Sequence, residues 1–126
     1  MNSLPPLPPT VIEPMVRRAL DEDFGNSGDL TASLLVPAAA KGKLMMRARE
    51  DGVIAGLQAA VMTYAMVDPA VRFIVQKDDG AKVKAGDIIA TVNGPSRALL
   101  SAERVALNFL GRMLSLIHIS EPTRPY

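Results

Sequence analysis

Two hydrophobic periods alternate along this chain, and each change of period marks a new element. Over residues 10–24 the period is helical: Val11, Met15, Val16, Ala19 and Leu20 share one face, with Arg17, Arg18, Asp21 and Glu22 opposite. Pro14 suits the first turn of such a helix, with Glu13 as its cap, and Gly25 stops it. Residues 41–49 switch to period two. Leu44, Met46 and Ala48 oppose Lys43, Met45, Arg47 and Arg49, as in a half-buried strand. The turn Glu50-Asp51-Gly52 then leads into Val53-Ile54-Ala55-Gly56, predicted as that strand's hairpin partner. Residues 57–67 read as a mostly buried helix with Met62 and Met66 as core packing, ended by Asp68-Pro69.

Val71-Arg72-Phe73-Ile74-Val75 predicts a third strand, followed by a turn at Asp78-Asp79-Gly80. Beyond it Val83, Ile88, Ala90 and Val92 face one way, Gly86-Asp87 turns the chain, and residues 88–92 supply a further strand. Gly94-Pro95 separates this strand from LLSAERVALNFLGRM, where Ala102, Ala106, Phe109, Leu110 and Met113 form a helical stripe. Short connections between helices and strands predict an α+β fold: a four-stranded antiparallel sheet covered by helices.

The last helix holds the candidate chemistry. With Ser101 as N-cap, Glu103 lies favourably near the positive helix start, and Arg104 faces partial charge of its own sign. Two roles stay open for Arg104: a solvated pair with Glu103, or attraction of an external anion jointly with the helix terminus. Asn108 and Arg112 follow at four-residue steps and extend a polar stripe, as structural or interface residues. The flank over residues 107–114 is expected to leave an exposed apolar patch.

Composition narrows the classes. The 126 residues suit one domain, and 48% hydrophobic content supports a core built from aliphatic residues and seven Met, with only 4% aromatics. A net charge of +1 argues against a general nucleic-acid binder. The absence of cysteine excludes disulfides, thiolate metal sites and Cys catalysis. No apolar run reaches membrane-spanning length and residues 1–10 lack a signal-peptide pattern, so a soluble cytoplasmic protein is expected. Residues 1–9, rich in proline, are expected to form an extended arm. GNSGDLT (residues 25–31) lacks the Lys-Ser/Thr that would make it a phosphate cradle and is assigned as a loop. Asp78, Asp79 and Asp87 are assigned to turns rather than to a metal site, and His118, without a partner at ligand spacing, to no specific role.

Four segments carry a resemblance: ALDEDFGNSGDLT, AREDGVIAGL, DGAKVKAGDIIATVNGPSRALLSAER and ALNFL. In this order they resemble the quinolinate phosphoribosyltransferases, or carboxylating nicotinate-nucleotide pyrophosphorylases. The resemblance implies the family's N-terminal domain over residues 10–115, a four-stranded sheet covered by helices. That domain packs on a larger α/β barrel and helps close the active site of a neighbouring subunit in a homodimer or higher oligomer. The implied reaction joins quinolinate to phosphoribosyl pyrophosphate with Mg²⁺, releasing pyrophosphate and CO₂ and giving nicotinate mononucleotide for NAD biosynthesis. The AER arginine, matched by Arg104, is implied to bind a substrate carboxylate. Catalytic and Mg²⁺-binding residues are implied to lie in the barrel, so this chain by itself is expected to be inactive. After Ser115 the chain departs from the family pattern and reads LIHISEPTRPY, so residues 116–126 are expected to be a non-native tail, poorly packed from residue 117 onward. Two other readings stand beside this one: a molybdenum-operon phosphoribosyltransferase homologue, or a biotinyl- or lipoyl-like carrier displaying Lys82 or Lys84.

Overall fold

The computed structural model describes residues 8–25 and 40–119. Helix α1 (Pro9–Gly25) begins at the last residue of the predicted arm, where Val11 and Ile12 donate backbone hydrogen bonds to the Pro8 carbonyl (2.9 and 3.3 Å). Pro14 therefore sits inside the helix rather than at its start, on an exposed face. Its missing N–H removes one intrahelical bond, and solvent can take the freed carbonyl. The buried stripe is Ile12, Val16 and Leu20, a strict four-residue ridge. The predicted face was too wide on one side: Val11 and Met15 are 49% and 51% exposed. A helix resting in one groove needs only this narrow ridge.

The strands are β1 (Lys41–Ala48), β2 (Gly52–Val53), β3 (Arg72–Val75), β4 (Lys82–Val83), β5 (Ile88–Pro95) and β6 (Leu114–Ile119). Helix α2 (Leu57–Val67) has the predicted bounds, and α3 spans Ser96–Leu110, followed by a 3₁₀ turn at Gly111–Met113. The main sheet is antiparallel with order β3-β5-β1-β6. Four antiparallel strands were expected, but the fourth is not β2. Both edges of β1 are taken, by β5 (Lys41↔Pro95, Leu44↔Val92) and by β6 (Lys43↔Ile119, Ala48↔Leu114). The chain after Gly52 peels away because Ile54 enters the core, its N–H bonded to the Ala81 carbonyl (3.0 Å). β2 thus pairs with β4 in a separate two-stranded ribbon.

Strand β6 also corrects the expectation of a loose tail from residue 117 onward. Residues 114–119 are register-paired with β1, and Leu114 and Leu116 pack in or against the core. Residues 120–126 lie outside the described part, as do the arm over residues 1–7 and the loop GNSGDLT beyond Gly25.

The core forms between the sheet and the α2–α3 layer. Leu44, Met46, Ala90 and Val92 from the sheet meet Leu99, Ala102 and Ala106 of α3 and Tyr64 of α2. A register shift between Met46 and Arg47 explains why Ile89, rather than the predicted Ile88, is fully buried. On the outer side of the same helices, α1 seats Ile12, Val16 and Leu20 against Ala59 and Val105, with Met62 and Met66 at the rim. The predicted apolar patch over residues 107–114 is absent: Leu110 and Leu114 are buried, and Leu107 and Phe109 partly so. Leu110 and Leu114 belong to the main core, and Phe109 packs against the α1 cluster. No helix among the described residues is long and apolar enough to cross a membrane.

Candidate functional site

Helix α3 starts six residues earlier than the sequence suggests, with its N-cap at 95 rather than 101. Pro95 occupies the N-cap position with extended backbone and no side-chain cap, and the Ser96 N–H donates to the Ala40 carbonyl (2.9 Å). Ser101 is consequently a buried residue in the second turn, not a cap. Arg104, eight residues beyond the first helical position, is about 12 Å along the axis. There the like-signed partial charge of the helix start has faded, and it does not explain Arg104.

Arg104 faces a carboxylate on α1. Its Nη1 lies 3.5 Å from Asp23 Oδ1, across the packed α1–α3 contact. The Asp23 side chain is 11% exposed and that of Arg104 67%, so the carboxylate lies on the protein side of a largely exposed guanidinium. Glu103 is not the partner of Arg104: its Oε1 sits 2.9 Å from His118 Nε2, reaching β6. His118, assigned no role from sequence, thus has a defined contact. Adjacent residues on a helix project about 100° apart, which is why 103 and 104 reach different elements. Asn108 is exposed one turn beyond Arg104. Arg112 lies past Gly111 (φ +77), in the 3₁₀ turn, so the polar stripe ends with the helix.

The Glu103 charge is also felt in the core. Burial first, and the nearby Glu103 carboxylate second, push the Tyr64 hydroxyl well above the ordinary phenol range. Tyr64 packs in a tilted arrangement on Phe73, with centroids 5.8 Å apart. Its hydroxyl has no hydrogen-bond partner among the described residues.

Two of the three aspartates assigned to turns, Asp79 and Asp87, have individual backbone tasks, as does Asp51. Asp79 accepts from the N–H groups of Leu57 (2.8 Å) and Gln58 (3.0 Å), which caps α2 from 21–22 residues away. Asp87 accepts from the Lys84 N–H (2.9 Å), and Asp51 from the Ala85 N–H (2.8 Å). Among the described residues, no three acidic or histidine side chains gather closely enough to hold a metal ion.

A planar cation held on one side and open on the other can engage a planar carboxylate with parallel charge-assisted hydrogen bonds. Sequence reasoning named Arg104 as a candidate and did not name Asp23. The available signal was the acidic pair Glu22-Asp23 in the last turn of α1, where the helix dipole disfavours negative charge.

The family model described as "Quinolinate phosphoribosyl transferase, N-terminal domain" matches residues 29–114. A quinolinate phosphoribosyltransferase (decarboxylating) of Nicotiana glauca is 35% identical over 118 residues, covering 93% of this chain and 34% of that protein. A probable nicotinate-nucleotide pyrophosphorylase (carboxylating) of Synechocystis is 36% identical over 126 residues, covering 100% of this chain and 40% of that protein. The crystal structure of NadC from Streptococcus pyogenes superposes with a TM-score of 0.78 at 34% identity, covering 85% of this chain and 38% of that one. The chain spans little more than a third of the length of these relatives. These similarities do not favour the carrier or molybdenum-operon readings. With its antiparallel sheet under three described helices, the chain belongs to the quinolinate phosphoribosyltransferase family and corresponds to its N-terminal domain.

Proposed function

We propose that this chain is the N-terminal part of an enzyme that joins quinolinate to phosphoribosyl pyrophosphate. Products are nicotinate mononucleotide, pyrophosphate and CO₂, in de novo NAD biosynthesis. Residues 10–115 act as the domain that covers the active site, packed on a barrel and on a second subunit of a homodimer. Arg104 binds a carboxylate of quinolinate. Mg²⁺ accompanies phosphoribosyl pyrophosphate and is held by barrel residues, as are the catalytic groups. The enzyme works in the cytoplasm, although some plant relatives are named as mitochondrial or chloroplastic.

The observation that carries the proposal is the family match over residues 29–114, which includes the segment presenting Arg104. Fusing residues 1–119 to the barrel of a bacterial relative tests it. The fusion should release pyrophosphate only when quinolinate, phosphoribosyl pyrophosphate and Mg²⁺ are all supplied, and this chain without a barrel should not. A folded fusion that ignores quinolinate but turns over another acid would reject the assignment.

A further inference from the structure

We propose that Asp23 is a positioning residue for Arg104: it holds the guanidinium from the protein side and leaves the outer edge free for a substrate carboxylate. The proposal rests on Arg104 binding such a carboxylate. Asp23 and Arg104 are brought together by the docking of α1 on α3, and their exposures are unequal, 11% against 67%. At 3.5 Å, through one nitrogen and one oxygen, the contact is that of an ion pair that leaves guanidinium donors unused.

The place of Asp23 argues for a defined purpose. It stands in the last turn of α1, where unsatisfied carbonyls already supply negative partial charge, and it is largely removed from water. Both features disfavour a carboxylate unless a cation faces it. The cation within ion-pair distance among the described residues is Arg104. An unrestrained arginine loses rotamer freedom when it grips a ligand, and a guanidinium already held loses less. Against this gain stands the repulsion between Asp23 and an incoming carboxylate. The covered position of Asp23 puts the guanidinium between the two like charges, so the repulsion acts only across the intervening cation.

The test reads the side-chain NMR signals of Arg104, identified with Arg104→Lys, in the 126-residue chain, and the binding of pyridine-2,3-dicarboxylate (quinolinate) in its fusion to a family barrel. In the wild type the Arg104 guanidinium should rotate slowly, and the fusion should bind quinolinate. Asp23→Asn, nearly the same shape without the charge, should speed the rotation and weaken quinolinate binding at least threefold in a chain that melts normally. Asp23→Glu should restore part of both effects. Unchanged rotation and affinity in Asp23→Asn, with binding lost in Arg104→Ala, would overturn the positioning role and leave Arg104 as the carboxylate ligand. Tighter binding by Asp23→Asn would show that Asp23 competes with the ligand, and also overturns it. A fusion whose quinolinate affinity is the same in wild type and Arg104→Ala removes the carboxylate reading, and this inference with it.

Discussion

Glu103 Oε1 and His118 Nε2 stand 2.9 Å apart and tie the middle of α3 to β6, the edge strand of the main sheet. Both side chains reach solvent, so the pair itself contributes little, and His118→Ala should lower stability by less than about 1 kcal/mol. The strand behind it matters more. Removing residues 116–126 deletes the pairings of Leu116 through Ile119 with β1 and takes Leu116 away from the edge of the core. With ladder bonds at roughly 1 kcal/mol each, truncation should cost about 2 kcal/mol or more in urea denaturation. A loss under about 0.5 kcal/mol would mean that β6 is not part of the stable fold.

Tyr64 gives the protein an alkaline limit. Its folded-state value is raised above the ordinary phenol value, chiefly by burial, so the neutral phenol is the form that fits the core. The contribution is fully present below about pH 10, where the unfolded phenol is also neutral. It is lost as pH rises above that, by up to about 1.4 kcal/mol per pH unit. Tyr64→Phe should remove this limb, so the variant gains on the wild type between pH 10 and 11. Near pH 7 it should lie within about 1 kcal/mol of wild type, since the hydroxyl has no partner to lose among the described residues. Parallel stability–pH curves for the two proteins would refute this account.

Asp79 caps α2 with both carboxylate oxygens, and no side chain at Gly56, the N-cap position itself, can do so. Asp79→Ala leaves the Leu57 and Gln58 N–H groups without these acceptors and should cost about 1–2 kcal/mol. Asp78→Ala, next in sequence, is the control. Equal melting temperatures for the two variants would dispose of the capping role.

Gly56 is required by space as well as by backbone. Its φ is +87, and a Cβ there would run into the Phe109 carbonyl at the α2–α3 contact. Gly56→Ala should therefore destabilise by at least ~2 kcal/mol, whereas Gly86→Ala, also at positive φ but with open space around it, pays only the backbone term. Similar losses at the two sites would show that the helices can separate at no cost.

Local signals carried part of this architecture. The bounds of α2 and nearly all of β1 follow from residues whose burial period is written in consecutive positions. The pairing of β2 with β4 and of β6 with β1 is not local. It depends on where Ile54 enters the core and on which edge of β1 lies open, and neither leaves a mark in the strands' own sequence. The start of α3 was hidden for a related reason: Pro95 caps it by conformation, without the side chain that Ser101 seemed to offer. At the candidate site Arg104 was visible because its motif is contiguous. Asp23 and His118, 81 and 14 residues away, acquire their partners only through docking of α1 and the register of β6.

The same site yields the prediction that bears most directly on catalysis, in the fusion of this chain to a family barrel. Arg104 offers a fixed fork to a carboxylate, and Arg104→Lys keeps the charge but replaces the fork with a flexible point donor. If the assembled active site is closed to water, truncating one member of a charged pair costs roughly 2–5 kcal/mol. Arg104→Ala should then lower kcat/KM for quinolinate by at least about 30-fold, at the lower end of that range. Arg104→Lys should fall between alanine and wild type, with most of its loss in KM. KM for phosphoribosyl pyrophosphate should change little, since its phosphates are assigned to the barrel. Kinetics close to wild type in Arg104→Ala would reduce the Asp23–Arg104 contact to an inter-helix ion pair, and the carboxylate of quinolinate would need another cation.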